Sequence, residues 1–127
     1  MRKLDTVQTQ EKLNDVYAVD QEGPGGAHHK YAVVKTRETF DINVDAKVRM
    51  ADILFQKGPR NAEGSQHGVI DSDLLEIVRD RLTAFQNGPF ASEYNAQALE
   101  HIERALYWMN KRVEDRIARN VLGTYEK

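Results

Sequence analysis

The apolar positions of this chain change their period partway along it. Before about residue 57 they come in short runs of strand-forming residues: Val16-Tyr17-Ala18-Val19, then 28–36 around Tyr31-Ala32-Val33-Val34, then Arg49 to Phe55. These runs predict strands. Tyr31, Val33 and Lys35 would share one face, since successive strand side chains alternate. Gly23-Pro24-Gly25-Gly26 separates the first two runs and predicts a hairpin turn. Residues 1–14 are polar and predict a frayed end or a first edge strand. Residues 37–46 are ambiguous, and 58–69 read as a polar loop.

Beyond about residue 70 the period becomes helical. Leu74, Val78, Leu82 and Phe85 fall on one stripe, which predicts a helix over about 72–87. Asp71 or Ser72 would cap it, with Asp73 and Glu76 near its positive end. Gly88-Pro89 ends it. Ser92 would cap a second helix over about 93–121, whose stripe is Leu99, Ile102, Leu106, Met109, Val113, Ile117 and Val121. The reading is an α+β chain: a small N-terminal antiparallel β-sheet (about 12–57) followed by a long antiparallel helical hairpin (about 70–122), as one domain over 1–127.

A helix of about 29 residues would be about 43 Å long. That exceeds the diameter of a compact domain of this size, whose radius of gyration is ~14 Å. Trp108 falls opposite the apolar stripe, and large apolar groups away from the core suggest an interface. A homo-oligomer is expected.

Composition narrows the function. The chain has 127 residues, 40% of them apolar, and a net charge of −2 from 18 basic and 20 acidic side chains. That balance argues against long nucleic acid as a partner, which calls for a clearly basic surface. A small phosphorylated ligand needs only a few local cations. There is no cysteine, hence no disulfide or thiolate site. Met1 to Asp5 is too polar for a signal peptide, and no apolar run nears the roughly 20 residues that span a bilayer. No membrane association is expected.

Arg112, Arg116 and Arg119 recur at spacings of four and three and form one ridge beside the stripe. Arginine can fork two hydrogen bonds onto a phosphate; a solvated helix face is the plainer reading. Asn95 lies within the stripe, four residues before Leu99. A buried amide must be hydrogen-bonded, here either to the turn at 88–91 or to the edge of a base. Phe85 ends the first helix, as ordinary core or as a ring on which a base stacks. Asn95 and Arg112 are 17 residues, or about 25 Å, apart on one helix. One ligand reaching both would need a site shared between antiparallel subunits.

His28-His29 makes a poor chelate, because adjacent strand residues point to opposite faces. His67 and His101 are isolated. No metal site, no cofactor and no catalytic set is expected, and phosphate-loop and nucleophile-elbow motifs are absent.

The residues Leu74-Leu75-Glu76-Ile77-Val78, Asp80-Arg81-Leu82, Phe85-Gln86-x-Gly88-Pro89-Phe90, Asn95-Ala96-x-Ala98-Leu99, Ile102-Glu103-x-Ala105-Leu106, Trp108, Arg112, Arg116 and Val121-x-Gly123-Thr124 resemble the helical hairpin of the phage nucleotide sponges that oppose the Thoeris and CBASS defences. Gly25-Gly26-Ala27-His28-His29-x-Tyr31 resembles the Thoeris type, which adds a small sheet. The resemblance implies a non-enzymatic protein of the host cytoplasm that sequesters a small signalling nucleotide, chiefly glycocyclic ADP-ribose. It implies a pocket in which Phe85 stacks adenine, Asn95 bonds it, and Arg60, Arg112 and Arg116 hold the phosphates. It implies a second, cyclic di- or trinucleotide site at Arg119, Gly123 and Thr124, and a dimer or a hexamer built as a trimer of dimers. A structural oligomerisation module and a cyclic-nucleotide-cleaving enzyme are the competing readings.

Overall fold

A computed structural model describes residues 1–36 and 48–127. The ambiguous stretch at 37–46 lies outside them. The described chain forms two compact units, one of Met1–Gly58 with Gly64–Gly68, the other of Pro59–Glu63 with Val69–Lys127.

The first unit is a four-stranded antiparallel sheet in the order β1-β2-β3-β4, with strands Arg2–Lys3, Asn14–Ala18, Lys30–Lys35 and Arg49–Leu54. The N-terminal segment thus contributes a two-residue edge strand, Arg2 opposite Ala18 and Lys3 opposite Tyr17. Pairing of Val16 with Val33 and Tyr17 with Ala32 sets the register of the central hairpin. One face buries Ala32 and Val34 against Tyr17, Val19 and Val48. Tyr31, on the opposite face, packs edge-on against Phe55 at 5.6 Å.

The glycine-rich turn between β2 and β3 is a short 3₁₀ segment, Pro24–Gly26, with positive φ at Gly25 and Gly26. Asp20 fixes its base. Its carboxylate accepts from the His29 N–H at 3.0 Å, while His28 Nδ1 donates to the Asp20 carbonyl at 2.8 Å.

The second unit is built on two helices, α1 (Asp71–Gln86) and α2 (Glu93–Ala118). The expected cap of α1 at Asp71 or Ser72 is corrected by one residue. Ile70 occupies the cap position, and the Asp73 carboxylate reaches back to its N–H at 2.9 Å. A carboxylate three residues inside does the work that an apolar cap cannot. Ser92 caps α2, its hydroxyl accepting from the Asn95 N–H at 3.1 Å. Arg79 of α1 reaches Glu103 of α2 at 3.3 Å.

The apolar stripes meet only partly as expected. Leu74, Leu75, Leu82, Leu99, Ile102, Leu106, Met109 and Val113 are half-buried, whereas Val78, Phe85 and Ile117 are exposed. No residue of α1 is buried, and in α2 only Arg116 is. Two helices enclose too little volume to close a core by themselves.

Candidate functional site: a groove with two free arginines

The chain has two Phe-Gln-x-Gly-Pro motifs, Phe55 to Pro59 and Phe85 to Pro89, and both have a structural task. At the α1–α2 turn the Gln86 side chain accepts from the Ser92 N–H at 2.9 Å and donates to the Ser92 carbonyl at 3.1 Å. In the sheet unit Gln56 accepts from the Gly68 N–H at 3.1 Å and donates to the Gly58 carbonyl at 3.2 Å. An amide, having both a donor and an acceptor, can satisfy two backbone groups across a turn. The task of the two glutamines is not foreseen in the sequence analysis; the recurrence of the motif thirty residues apart is the signal that could have found it.

Within the helical unit a groove of ≈900 Å³ runs along α1 and α2, lined among others by Arg60, Arg79, Glu103, Met109, Arg112 and Leu122. Arg79 is neutralised by Glu76 and Glu103. Arg60 and Arg112 have no ion-pair or hydrogen-bond partner among the described residues, so two exposed guanidiniums face one groove unpaired, although Asp71, Glu76 and Glu103 also line it. Apolar walls with a few convergent charges suit a small anionic ligand.

The C-terminal turn builds one end of this groove. Gly123 has φ +79°, and a Cβ there would stand 2.7 Å from Arg60 Cγ and 2.7 Å from Asn61 Nδ2. The Asn61 N–H donates to the Gly123 carbonyl at 3.1 Å.

Arg116 lies elsewhere than the phosphate ridge implies. It is 5% exposed, with Nη1 donating to the Glu126 carbonyl at 2.6 Å and Nη2 to those of Val121 and Thr124 at 3.0 and 3.1 Å. In this chain its guanidinium binds the protein's own C-terminal backbone. Three carbonyls beyond a helix end attract a cation for the same reason a phosphate does. Arg119 pairs with Asp115 at 3.0 Å and donates to the Lys127 carbonyl at 2.5 Å. The Thr124 hydroxyl donates to the Val121 carbonyl at 2.6 Å.

Phe85 and Asn95 do not line the groove. Phe85 is 37% exposed, with the Arg81 guanidinium 5.4 Å from its ring centre. The Asn95 amide donates to the Phe90 carbonyl at 3.4 Å, the turn-bonding alternative of the two open for it. Its carbonyl oxygen makes no hydrogen bond among the described residues. Since α2 is one continuous helix from Glu93 to Ala118, Asn95 and Arg112 keep their separation of about 25 Å.

Of the histidines, His28 is bonded to Asp20 and His29 is buried beside Gly23 and Lys57. The Asp20 carboxyl lies below its usual range: burial pushes it up, but hydrogen bonds from the backbone of His29 and Lys30 and from the His28 side chain outweigh that. Among the described residues no three His, Asp or Glu side chains cluster as for a metal, and no helix is long and apolar enough to cross a membrane.

A small antiparallel sheet followed by a helical hairpin, the hairpin bearing an arginine-lined groove, defines an α+β protein. The chain belongs to the Acb2/Tad1 family: residues 48–114 match the model described as the Acb2/Tad1 hairpin domain. It is also 43% identical over 79 residues to Thoeris anti-defense 1 of Bacillus phage SBSphiJ7. That match covers 62% of this chain and 55% of the relative, so it spans about half the relative's length. The family resemblance carried by the hairpin residues is thereby borne out.

Proposed function

We propose that this chain is a phage anti-defence protein of the Thoeris type, a sponge that binds a signalling nucleotide without turning it over and keeps it from its receptor in the host cytoplasm. The observation that carries this reading is the pair Arg60 and Arg112, unpaired on one groove of a family hairpin. The ligand proposed is a glycocyclic ADP-ribose, whose two phosphates match two guanidiniums. Each charge-assisted hydrogen bond is worth about 1.5–3 kcal/mol.

The base end of the site is assigned to Phe85 and Asn95. Phe85 has an accessible ring, and stacking a base on it is worth about 1–3 kcal/mol. Asn95 keeps its carbonyl oxygen available for an exocyclic amine. Asn95 lies about 25 Å along α2 from Arg112, and Phe85 ends α1 beside the same turn as Asn95, too far to share one ligand with Arg112 of the same chain. The complete site therefore joins the α1–α2 turn of one protomer to the groove of another, and two-fold symmetry gives two sites per dimer. Exposed Phe90, Tyr94, Trp108 and Ile117, with so little buried in either helix, support such an association, as a dimer or a hexamer of three dimers. A second, cyclic trinucleotide site is proposed at Arg119, Gly123 and Thr124; Thr124→Ala should weaken it and leave ADP-ribose binding unchanged.

Calorimetry with a glycocyclic ADP-ribose, followed by denaturation of the complex and chromatography of the ligand, tests the proposal. Tight binding with intact ligand recovered supports a sponge. A cleaved product makes the protein an enzyme, and no binding makes it an oligomerisation module.

A further inference from the structure

Gly123 and Arg60 belong to separate segments that meet at Gly123. The Gly123 Cα faces the Arg60 side chain so closely that even a methyl group there would overlap Arg60 Cγ, at 2.7 Å. Asn61, next to Arg60, crowds the same position, its Nδ2 also 2.7 Å from where that methyl would stand, and its N–H donates to the Gly123 carbonyl. Arg116 then closes the turn from beneath: its buried guanidinium holds the carbonyls of Val121 and Thr124, one on each side of Gly123. Arg60 sits in the tight turn Pro59–Ala62, which has one internal backbone hydrogen bond and, among the described residues, makes no other beyond Asn61 to Gly123.

The geometry points to Gly123 and Arg116 as positioning residues for Arg60. Arg116 shapes the C-terminal turn, the absent side chain at Gly123 leaves room for the Arg60 stem, and Arg60 is thereby aimed into the groove beside Arg112. Arg116 thus acts through Arg60, not on the ligand. This inference rests on the groove being the anion site proposed above.

The physical requirement is precision. A forked guanidinium–phosphate contact is directional, so displacing Arg60 forfeits it while leaving the charge in place. Gly123→Asn is the informative variant, because Asn tolerates positive φ and yet carries a Cβ. It separates the steric effect of a Cβ, which meets Arg60 and Asn61 alike, from backbone strain, and the Arg60→Ala background below isolates the part that runs through Arg60. Gly123→Asn is expected to weaken binding of a glycocyclic ADP-ribose about tenfold or more, the loss of one charge-assisted hydrogen bond. In an Arg60→Ala background the same substitution should add little. Arg116→Lys keeps a charge but not the fork, and should show the same non-additivity with Arg60→Ala.

These measurements use the full chain, with helical content followed by circular dichroism and affinity by calorimetry. Full affinity in Gly123→Asn overturns the inference. So do equal losses in both backgrounds, which would place the effect in the fold, or an Arg116→Lys loss that adds fully to that of Arg60→Ala, which would place Arg116 on the ligand. If wild type binds but Arg60→Ala binds equally well, the groove assignment and this inference fall together. If wild type binds no ligand, the sponge reading itself fails.

Discussion

Gln86 and Ser92 hold each other by two hydrogen bonds, the Gln86 side chain accepting from the Ser92 N–H and donating to the Ser92 carbonyl. The pair fixes the turn between α1 and α2, and Ser92 then caps α2. Gln86→Ala leaves the Ser92 N–H without a protein partner in a half-buried place, while the Ser92 carbonyl still accepts from the Ala96 N–H. It should lower stability by about 1–3 kcal/mol, less if water replaces the amide. The check is a urea titration with a lower midpoint and unchanged slope. An unchanged midpoint would show that the turn is held by other contacts.

Gly68 packs against backbone. A Cβ at this position would lie 2.5 Å from the Leu54 carbonyl oxygen, an atom that cannot swing away. Gly64, by contrast, has φ +82° and open space around it. Gly64→Ala should lower stability by about 1–2 kcal/mol through backbone strain alone. Gly68→Ala should lower it further, because the sheet must open locally. Thermal melts of the two variants side by side would decide this; equal melting temperatures would contradict the close approach at Gly68.

Asp20 makes the sheet unit acid-sensitive. Its carboxyl is depressed in the folded state by the hydrogen bonds at His28, His29 and Lys30, which outweigh burial. The unfolded value is about 3.9. Its contribution is therefore fully present above that pH and is lost as pH falls through the lower folded value. Asp20→Asn should be less stable than wild type at neutral pH, with the gap closing below about pH 4. Stability measured by urea titration across pH 3–7, on the scale set by that carboxyl value, gives the comparison. A gap that persists at the acid end would mean that Asp20 acts by shape and not by charge.

Phe85 and Asn95 lie outside the groove and on the exposed end of the hairpin. Phe85→Ala and Asn95→Ala should each abolish binding of a glycocyclic ADP-ribose and leave the assembly unchanged, as read by calorimetry and by light scattering. Undiminished affinity in either variant would remove that residue from the site.

The sequence by itself determined the elements. Alternating and helical periods placed the strands and both helices to within a few residues, because each buries one face against a partner and the period follows from backbone geometry. Ser92, as a cap, was legible from its residue type and its place before the long stripe. The hairpin family was legible too, in the combination of Phe85-Gln86-x-Gly88-Pro89 with Asn95, Arg112 and Gly123-Thr124.

Only the tertiary structure decided the tasks of individual polar groups. Three arginines at helical spacing look alike in sequence. Arg112 reaches a groove, Arg119 pairs with Asp115, and Arg116 is buried on the backbone of the chain's own C-terminal turn. The spacing that made them one ridge says nothing of where the chain goes after the helix ends, and that path selected among them. Likewise nothing near Arg60 in sequence announces Gly123. Their contact joins residues more than sixty positions apart, and it arises from folding the loop and the tail onto the same helices.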